Sequence, residues 1–245
     1  MIKKVEGIVI SEQDYSESSK ILNVLTKDHG VIGIMAKGAK RMKSNLRGVT
    51  GKLTYGYFHI YYKPEKLSDL IGVDVINSFK NVKNDIVKIS YATFLVELVR
   101  QIAKQEYDQA MYYLLINGII KIDEGYDPLV ITNIIELKLL NYLGVQPMLD
   151  GCAICGKKTD IITLSVEKGG YICTKCYNGE RKASSKAIKL IRMFYYVDIA
   201  KITKLEISNE VKKEIDTFID DYYDRYTGLY LKSKQLLTNL AKLQT

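Results

Sequence analysis

The sequence predicts an α+β protein, with a strand-rich first third, a helix-patterned remainder and a four-cysteine module inside the helical part. Three observations carry this reading. Apolar residues alternate with period two in short runs up to about Phe79. Beyond that point they recur at helical spacing. Two Cys-x2-Cys pairs, Cys152/Cys155 and Cys173/Cys176, then punctuate the second part. The 245 residues suffice for two modest domains, and a hydrophobic content of 47% is that of a globular chain. The expected domains are residues 1–80 and 81–245, the cysteine module occupying residues 150–180 of the latter.

The strands come first. Val5–Ser11 and Lys20–Thr26 read as the first two, with Asp28-His29-Gly30 as the turn into a third, Gly30–Ala36. Leu53–Tyr62 is a long aromatic fourth and Leu67–Phe79 a fifth. Five short strands with a long connection between the third and fourth fit a small barrel of the oligonucleotide-binding (OB) type. Tyr55, Tyr57 and Tyr61 share one parity of the fourth strand, and Phe58, Ile60 and Tyr62 the other. One set fills the barrel and the other faces out.

The helices follow. Asn84-Asp85 caps one that runs toward Lys104, and Asp108 starts another that ends near Glu124-Gly125. Pro128 suits the first turn of a third, which stops at Gly144. After the cysteines, Ser184-Ser185 begins a helix through Phe194, and Ser208-Asn209-Glu210 begins one that runs past Tyr226. Their apolar stripes are core-forming.

The connection between strands three and four is the segment that most suggests a function. From Lys37 to Lys52 it reads KGAKRMKSNLRGVTGK, with Lys37, Lys40, Arg41, Lys43, Arg47 and Lys52 and no Asp or Glu. Its three glycines and small polar residues make it a loop. Cations dense on a loop suit a polyanion, because each one that neutralises a phosphate releases a counterion. The plain alternative is a solubilising loop. Residues 1–80 carry 13 Lys/Arg against 8 Asp/Glu, whereas the other 165 carry 23 against 20. The excess charge therefore favours one nucleic-acid face on the barrel. The expected contacts are Lys37, Lys40, Arg41, Lys43 and Arg47, with Lys20 beside them.

The two Cys-x2-Cys pairs, 17 residues apart, have the spacing of a tetrahedral zinc site with Cys152, Cys155, Cys173 and Cys176 as ligands. Four thiolates leave no position for water or substrate, so one structural Zn2+ is the expectation. Lys157, Lys158, Lys168 and Lys175 decorate the module, either as DNA contacts or as solvated charges.

Four blocks carry a family resemblance. They are Glu6-Gly7-Ile8-Val9-Ile10, Asp14 through Leu22, Thr26-Lys27-Asp28-His29-Gly30, and Ala36-Lys37-Gly38-Ala39-Lys40-Arg41. Together they resemble the N-terminal domain of the bacterial RecO family of DNA repair proteins. The rest of the chain agrees in layout, down to a terminal helix with Leu231-Lys232-Ser233 near its tail. The resemblance implies binding of single- and double-stranded DNA, annealing of complementary strands, and partnership with RecR. It also implies contact with single-stranded DNA-binding protein and help in loading RecA at gaps. In that family a cysteine module is known but not universal.

Several classes are disfavoured. No Walker-type phosphate loop, G-x-S-x-G elbow or H-E-x-x-H is found, and the two histidines, His29 and His59, lack a nucleophile partner in sequence. A non-enzymatic role is expected. The start, Met1-Ile2-Lys3-Lys4-Val5-Glu6, lacks an apolar targeting core, which points to a cytoplasmic, nucleoid-associated protein. Two rivals stay open: a zinc-containing sequence-specific DNA-binding regulator, and a protein-interaction scaffold.

Overall fold

Period-two patterning produces five strands, β1 (Ile2–Asp14), β2 (Lys20–Thr26), β3 (Gly30–Ala36), β4 (Tyr55–Tyr61) and β5 (Ser68–Asn77). In the computed structural model, which describes residues 1–104 and 107–243 with side chains to residue 237, they close into a barrel of order β1-β2-β3-β5-β4. The closure depends on β1. A register shift between Val9 and Ser11 bends it, so its first half pairs with β4 and its second half with β2. At Gly7, which pairs with Gly56, the strands come too close for side chains. A Cβ on Gly7 would lie 2.6 Å from Val24 Cγ1, and one on Gly56 would lie 2.4 Å from the Asp74 carbonyl oxygen. The only parallel contact in the barrel is β3 with β5, through Ile34↔Ser68 and Met35↔Asp69.

The barrel core holds Val5, Val9, Leu22, Val24, Ile34, Phe58, Ile60 and Leu70, with Ala39 from the basic loop tucked against it. Alternation along β4 is complete: Gly56, Phe58 and Ile60 are buried, whereas Tyr55, Tyr57, His59 and Tyr61 face outward.

The chain divides into two compact units, Met1–Asp123 and Glu124–Thr245. The first therefore includes α1 (Lys80–Lys83), α2 (Ile86–Ile102) and α3 (Gln109–Asp123) as well as the barrel. Asp85 caps α2 by accepting from the amides of Val87 and Lys88. Two polar anchors fasten α3 and the segment before it to the barrel. Tyr107 places its hydroxyl 2.6 Å from the Thr26 carbonyl, and the Tyr55 and Tyr112 hydroxyls both donate to Glu6 Oε1, at 2.7 and 3.1 Å. Tyr55, on the outward parity, is thereby used in packing, and its ring also stacks on Phe79.

The second unit is built on α4 (Pro128–Leu139), α5 (Ser185–Tyr196), α6 (Asn209–Tyr226) and α7 (Lys232–Leu243), with a three-stranded sheet of order β6-β8-β7. The strands are β6 (Met148–Cys152), β7 (Ile161–Ser165) and β8 (Gly170–Cys173). Helix α4 carries the core: Ile131, Ile134, Ile135, Leu137 and Leu139 are inaccessible to solvent. It ends before the expected stop at Gly144, because residues from Leu140 onward form turns. Gly228, with φ at +61°, separates α6 from α7, a break that residues without a Cβ penalty allow. Among the described residues, no helix is long and apolar enough to cross a membrane.

Candidate nucleic-acid interface and cysteine cluster

Loop β3–β4 folds as a series of tight turns and is stitched to loop β1–β2. The Lys40 amide donates to the Ser18 carbonyl at 2.9 Å, and the Gly38 amide to Ser19 Oγ at 3.3 Å. Leu53 and Ala39 are buried and pin the loop ends, and Thr50 is buried in between. The cations between those anchors project from a held scaffold.

The expected contacts divide into two groups. Arg41, Lys43 and Arg47 are exposed and form no ion pair among the described residues; Arg47 approaches only Met42 Sδ, at 3.3 Å. Lys20, Lys37 and Lys40 are each held by a carboxylate from elsewhere on the barrel. Lys40 pairs with Asp14 at 2.6 Å, Lys37 with Asp69 at 2.7 Å, and Lys20 with Glu12. Asp69 also takes Lys63 at 2.6 Å. Hydrogen bonds from these lysines hold Asp14 and Asp69 below the usual carboxylate range. Loops β1–β2, β3–β4 and β4–β5 are thus linked by mixed charge. A phosphate reaching Lys37 or Lys40 must displace a carboxylate, whereas one reaching Arg41, Lys43 or Arg47 does not. Lys52 is different again: burial pushes its amine down, with Glu97 nearby to oppose the shift.

Strands β1 and β4 and the turn after β2 add residues that the loop pattern did not reveal. Lys4 lies 4.4 Å from the Tyr57 ring centroid and Lys3 lies 4.1 Å from that of Tyr62, while His29 stacks on Tyr62. His59 Nε2 sits 2.8 Å from Asp74 Oδ2. Lys3 and Lys4 are neighbours on β1 and take opposite parities, so their two ring contacts become readable only once β1 and β4 are known to pair.

The cysteine module forms a second constellation. The Sγ atoms of Cys152, Cys155, Cys173 and Cys176 all lie within 4.8 Å of one another, with Cys155 and Cys173 at 3.7 Å. Tetrahedral zinc with Zn–S near 2.3 Å needs sulfurs about 3.8 Å apart, so the donor set fits that ion. The parallel pairing of β6 with β8 brings the two pairs together, with Cys152 opposite Tyr171. Gly170 permits it, since a Cβ there would meet the Met148 carbonyl oxygen at 2.3 Å. Burial would raise the Cys152 thiol, but the amides of Cys155, Cys173 and Ile154 bring it down to about 6. Cys176 is pushed up to about 12, first by its hydrogen bond with Cys155. Four sulfurs this close cannot all carry negative charge unless a cation joins them. Around the cluster, Lys157 and Lys168 are paired with Asp160 and Glu167.

Comparison with known proteins agrees with both parts of the chain. The family model "Recombination protein O N terminal" matches residues 1–79, and "Recombination protein O C terminal" matches residues 83–235. A protein of Listeria innocua serovar 6a named DNA repair protein RecO is 37% identical over 245 residues, covering 98% of this chain and 96% of the relative. Those of Halalkalibacterium halodurans and Bacillus cytotoxicus, with the same name, are each 36% identical over 248 residues. The first alignment covers 99% of this chain and 97% of the relative, and the second covers both in full.

Proposed function

The chain belongs to the RecO family of DNA repair proteins, and from that premise we propose that it is a non-enzymatic recombination mediator that binds DNA and anneals complementary strands. The observation that carries the reading is the set of exposed cations, Arg41, Lys43 and Arg47, without an ion pair among the described residues, on a loop anchored to a closed five-stranded barrel. We assign the barrel to the OB type and residues 1–80 to the DNA-binding domain. The phosphate contacts are Lys20, Lys37, Lys40, Arg41, Lys43 and Arg47. Arg41, Lys43 and Arg47 engage first, and the three lysines follow by exchanging Glu12, Asp69 and Asp14 for phosphate. Residues 81–245 form the helical domain. Its cysteines would hold one structural Zn2+, which when bound neutralises the thiolates and ties the two knuckles together.

Annealing follows from the electrostatics. Two phosphate backbones repel, and loop cations that neutralise part of each lower that repulsion. Base pairing then drives the reaction without nucleotide hydrolysis. Outward tyrosines such as Tyr57 and Tyr61 provide faces on which unpaired bases can stack. RecR, single-stranded DNA-binding protein and RecA are the partners that the family suggests, in a cytoplasmic, nucleoid-associated setting.

The test is an annealing assay on the purified protein with complementary labelled single strands and no nucleotide. Pairing should accelerate, with no cleavage and no ATP hydrolysis. If strands are bound at low salt but never pair faster, the mediator reading fails and a passive binder is preferred. Binding confined to one DNA sequence would favour the regulator, and no DNA binding would favour the scaffold.

A further inference from the structure

From Arg181 to Val197 the chain again carries no acidic residue, and it holds Arg181, Lys182, Lys186, Lys189 and Arg192. All five are exposed. Ala187, Ile191 and Phe194 bury the other side of α5, so Lys186 and Lys189 stand on its solvent face. Neither they nor Lys182 form an ion pair among the described residues. Three residues along a helix advance it by about 4.5 Å, so Lys186, Lys189 and Arg192 make a ladder about 9 Å long.

A second, independent arrangement lies at the end of the ladder. Asp150 accepts from Arg192 Nη2 at 2.9 Å and from the Tyr196 hydroxyl at 2.6 Å, and Arg192 Nε also donates to the Leu149 carbonyl. The guanidinium lies 5.1 Å from the Tyr196 ring centroid. Tyr196 is fixed by its hydroxyl, by Arg192 over its ring and by Tyr195, whose ring packs nearly perpendicular with centroids 4.9 Å apart, and it is still 52% exposed, with Met193 37% exposed beside it. These residues line a shallow cavity of about 640 Å³ together with Lys189 and Val197. An exposed aromatic ring fixed in position beside free cations is what an unpaired base and its phosphates need. Asp150, the carboxylate that lines this cavity, is already engaged by Arg192 and Tyr196, whereas Lys182, ahead of the helix, lines a different cavity with Glu180, Glu210, Glu214 and Asp221.

We propose that the solvent face of α5 is a second nucleic-acid site, specific for single strands. Lys186 and Lys189 contact phosphates there, and Tyr196 is the stacking platform. The purpose of the site rests on the annealing role proposed above, since a protein that carries two strands at two places can present one to the other. Its existence does not rest on that role.

The experiment uses the full chain and a fluorescent thymidine homopolymer in which some thymines are replaced by photoreactive 5-iodouracil. Crosslinking should attach the strand to Tyr196, identified by peptide mass spectrometry. In a Lys40→Ala/Arg41→Ala background, Lys186→Glu/Lys189→Glu should lower the remaining affinity about tenfold or more and reduce the salt slope by about two contacts. Tyr196→Ala should weaken single strands more than duplex and leave the melting temperature within a few degrees. Absence of a crosslink on α5, with unchanged affinity in the charge-reversed variant, would overturn the inference. So would a short acidic peptide that binds α5 while the homopolymer does not, which would make the face a protein-docking surface. If the wild type fails to anneal yet loses strand binding through the α5 changes, the mediator reading falls and this site stands. The reverse pattern removes this site alone.

Discussion

Lys40 shows how much of a charge pattern depends on the residues that fold back onto it. In sequence it sits in an acid-free run, but in space it is bound by Asp14, 26 residues earlier. Lys37 and Lys20 are likewise covered by Asp69 and Glu12, so the run is acid-free only along the chain. Arg41, by contrast, is exposed with no acidic partner among the described residues. Arg41→Ala should therefore weaken DNA binding more than Lys40→Ala, and equally for unrelated sequences. The double change should flatten the plot of log affinity against log salt by about one to two contacts' worth. Fluorescence anisotropy across a salt series measures both. An unchanged slope in the double variant would move the phosphate site off this loop. The exposed cations were legible because they need no tertiary information. The Glu6 cradle for Tyr55 and Tyr112 was not, since its members lie 49 and 106 positions apart and each looks like ordinary strand or helix patterning.

Element by element, legibility followed how local each determinant is. Strands β2 and β3 start and stop where turn residues and β-branched runs place them, and the caps at Asp85, Asp127 and Ser184 mark helix starts that the sequence also marks. Strand β6 was hidden: Met-Leu-Asp-Gly-Cys has no strand preference of its own and becomes extended by pairing with β8. Because that pairing gathers the four sulfurs, metal and local fold should be coupled. Changing Cys173, a buried ligand candidate, to Ser should lower the zinc content measured by elemental analysis. It should also raise hydrogen exchange selectively through β6, β7 and β8. Metal-free protein with native exchange protection there would sink the zinc assignment.

A second coupling joins α4, α6 and α7. Burial keeps the carboxyl of Glu136 well above its usual range and raises that of Asp216 to about 7, with Asp220 adding to both shifts. Lys234, on α7, faces this group and pairs with Asp220 at 3.0 Å. The folded state thus binds a proton at Asp216 more tightly than the unfolded chain does, so stability falls as pH rises from about 4 to about 7. Asp216→Asn should remove that part of the pH dependence. It should also stabilise the protein at pH 8 by on the order of 1 kcal/mol, since Asp216 keeps part of its hydration. Melting curves at pH 6 and pH 8 test it: an equal pH response in the variant would place the titration elsewhere.

For the whole molecule, charge is distributed rather than simply abundant. The net charge of +8 comes with 28 acidic residues, many of which bind particular lysines. On the barrel loop, what remains available for a polyanion is Arg41, Lys43 and Arg47, which form no ion pair among the described residues. This predicts a specific relation between two measurements. Binding one strand releases counterions from one backbone, whereas bringing two strands together on the protein requires that both be partly neutralised at once. The annealing rate should therefore fall with salt more steeply than the affinity for either strand alone. Stopped-flow pairing kinetics and anisotropy titrations in the same buffers give the two slopes. Equal slopes would mean that only one strand is neutralised by the protein and the other arrives from solution unaided. A shallower annealing slope would show that pairing is limited by something other than phosphate repulsion, such as melting of structure within the strands. The steeper slope should collapse toward the single-strand value when Arg41, Lys43 and Arg47 are replaced together by Ala, with the circular dichroism spectrum unchanged. Those three side chains lie on the surface and hold none of the barrel's core, so their loss separates charge from fold.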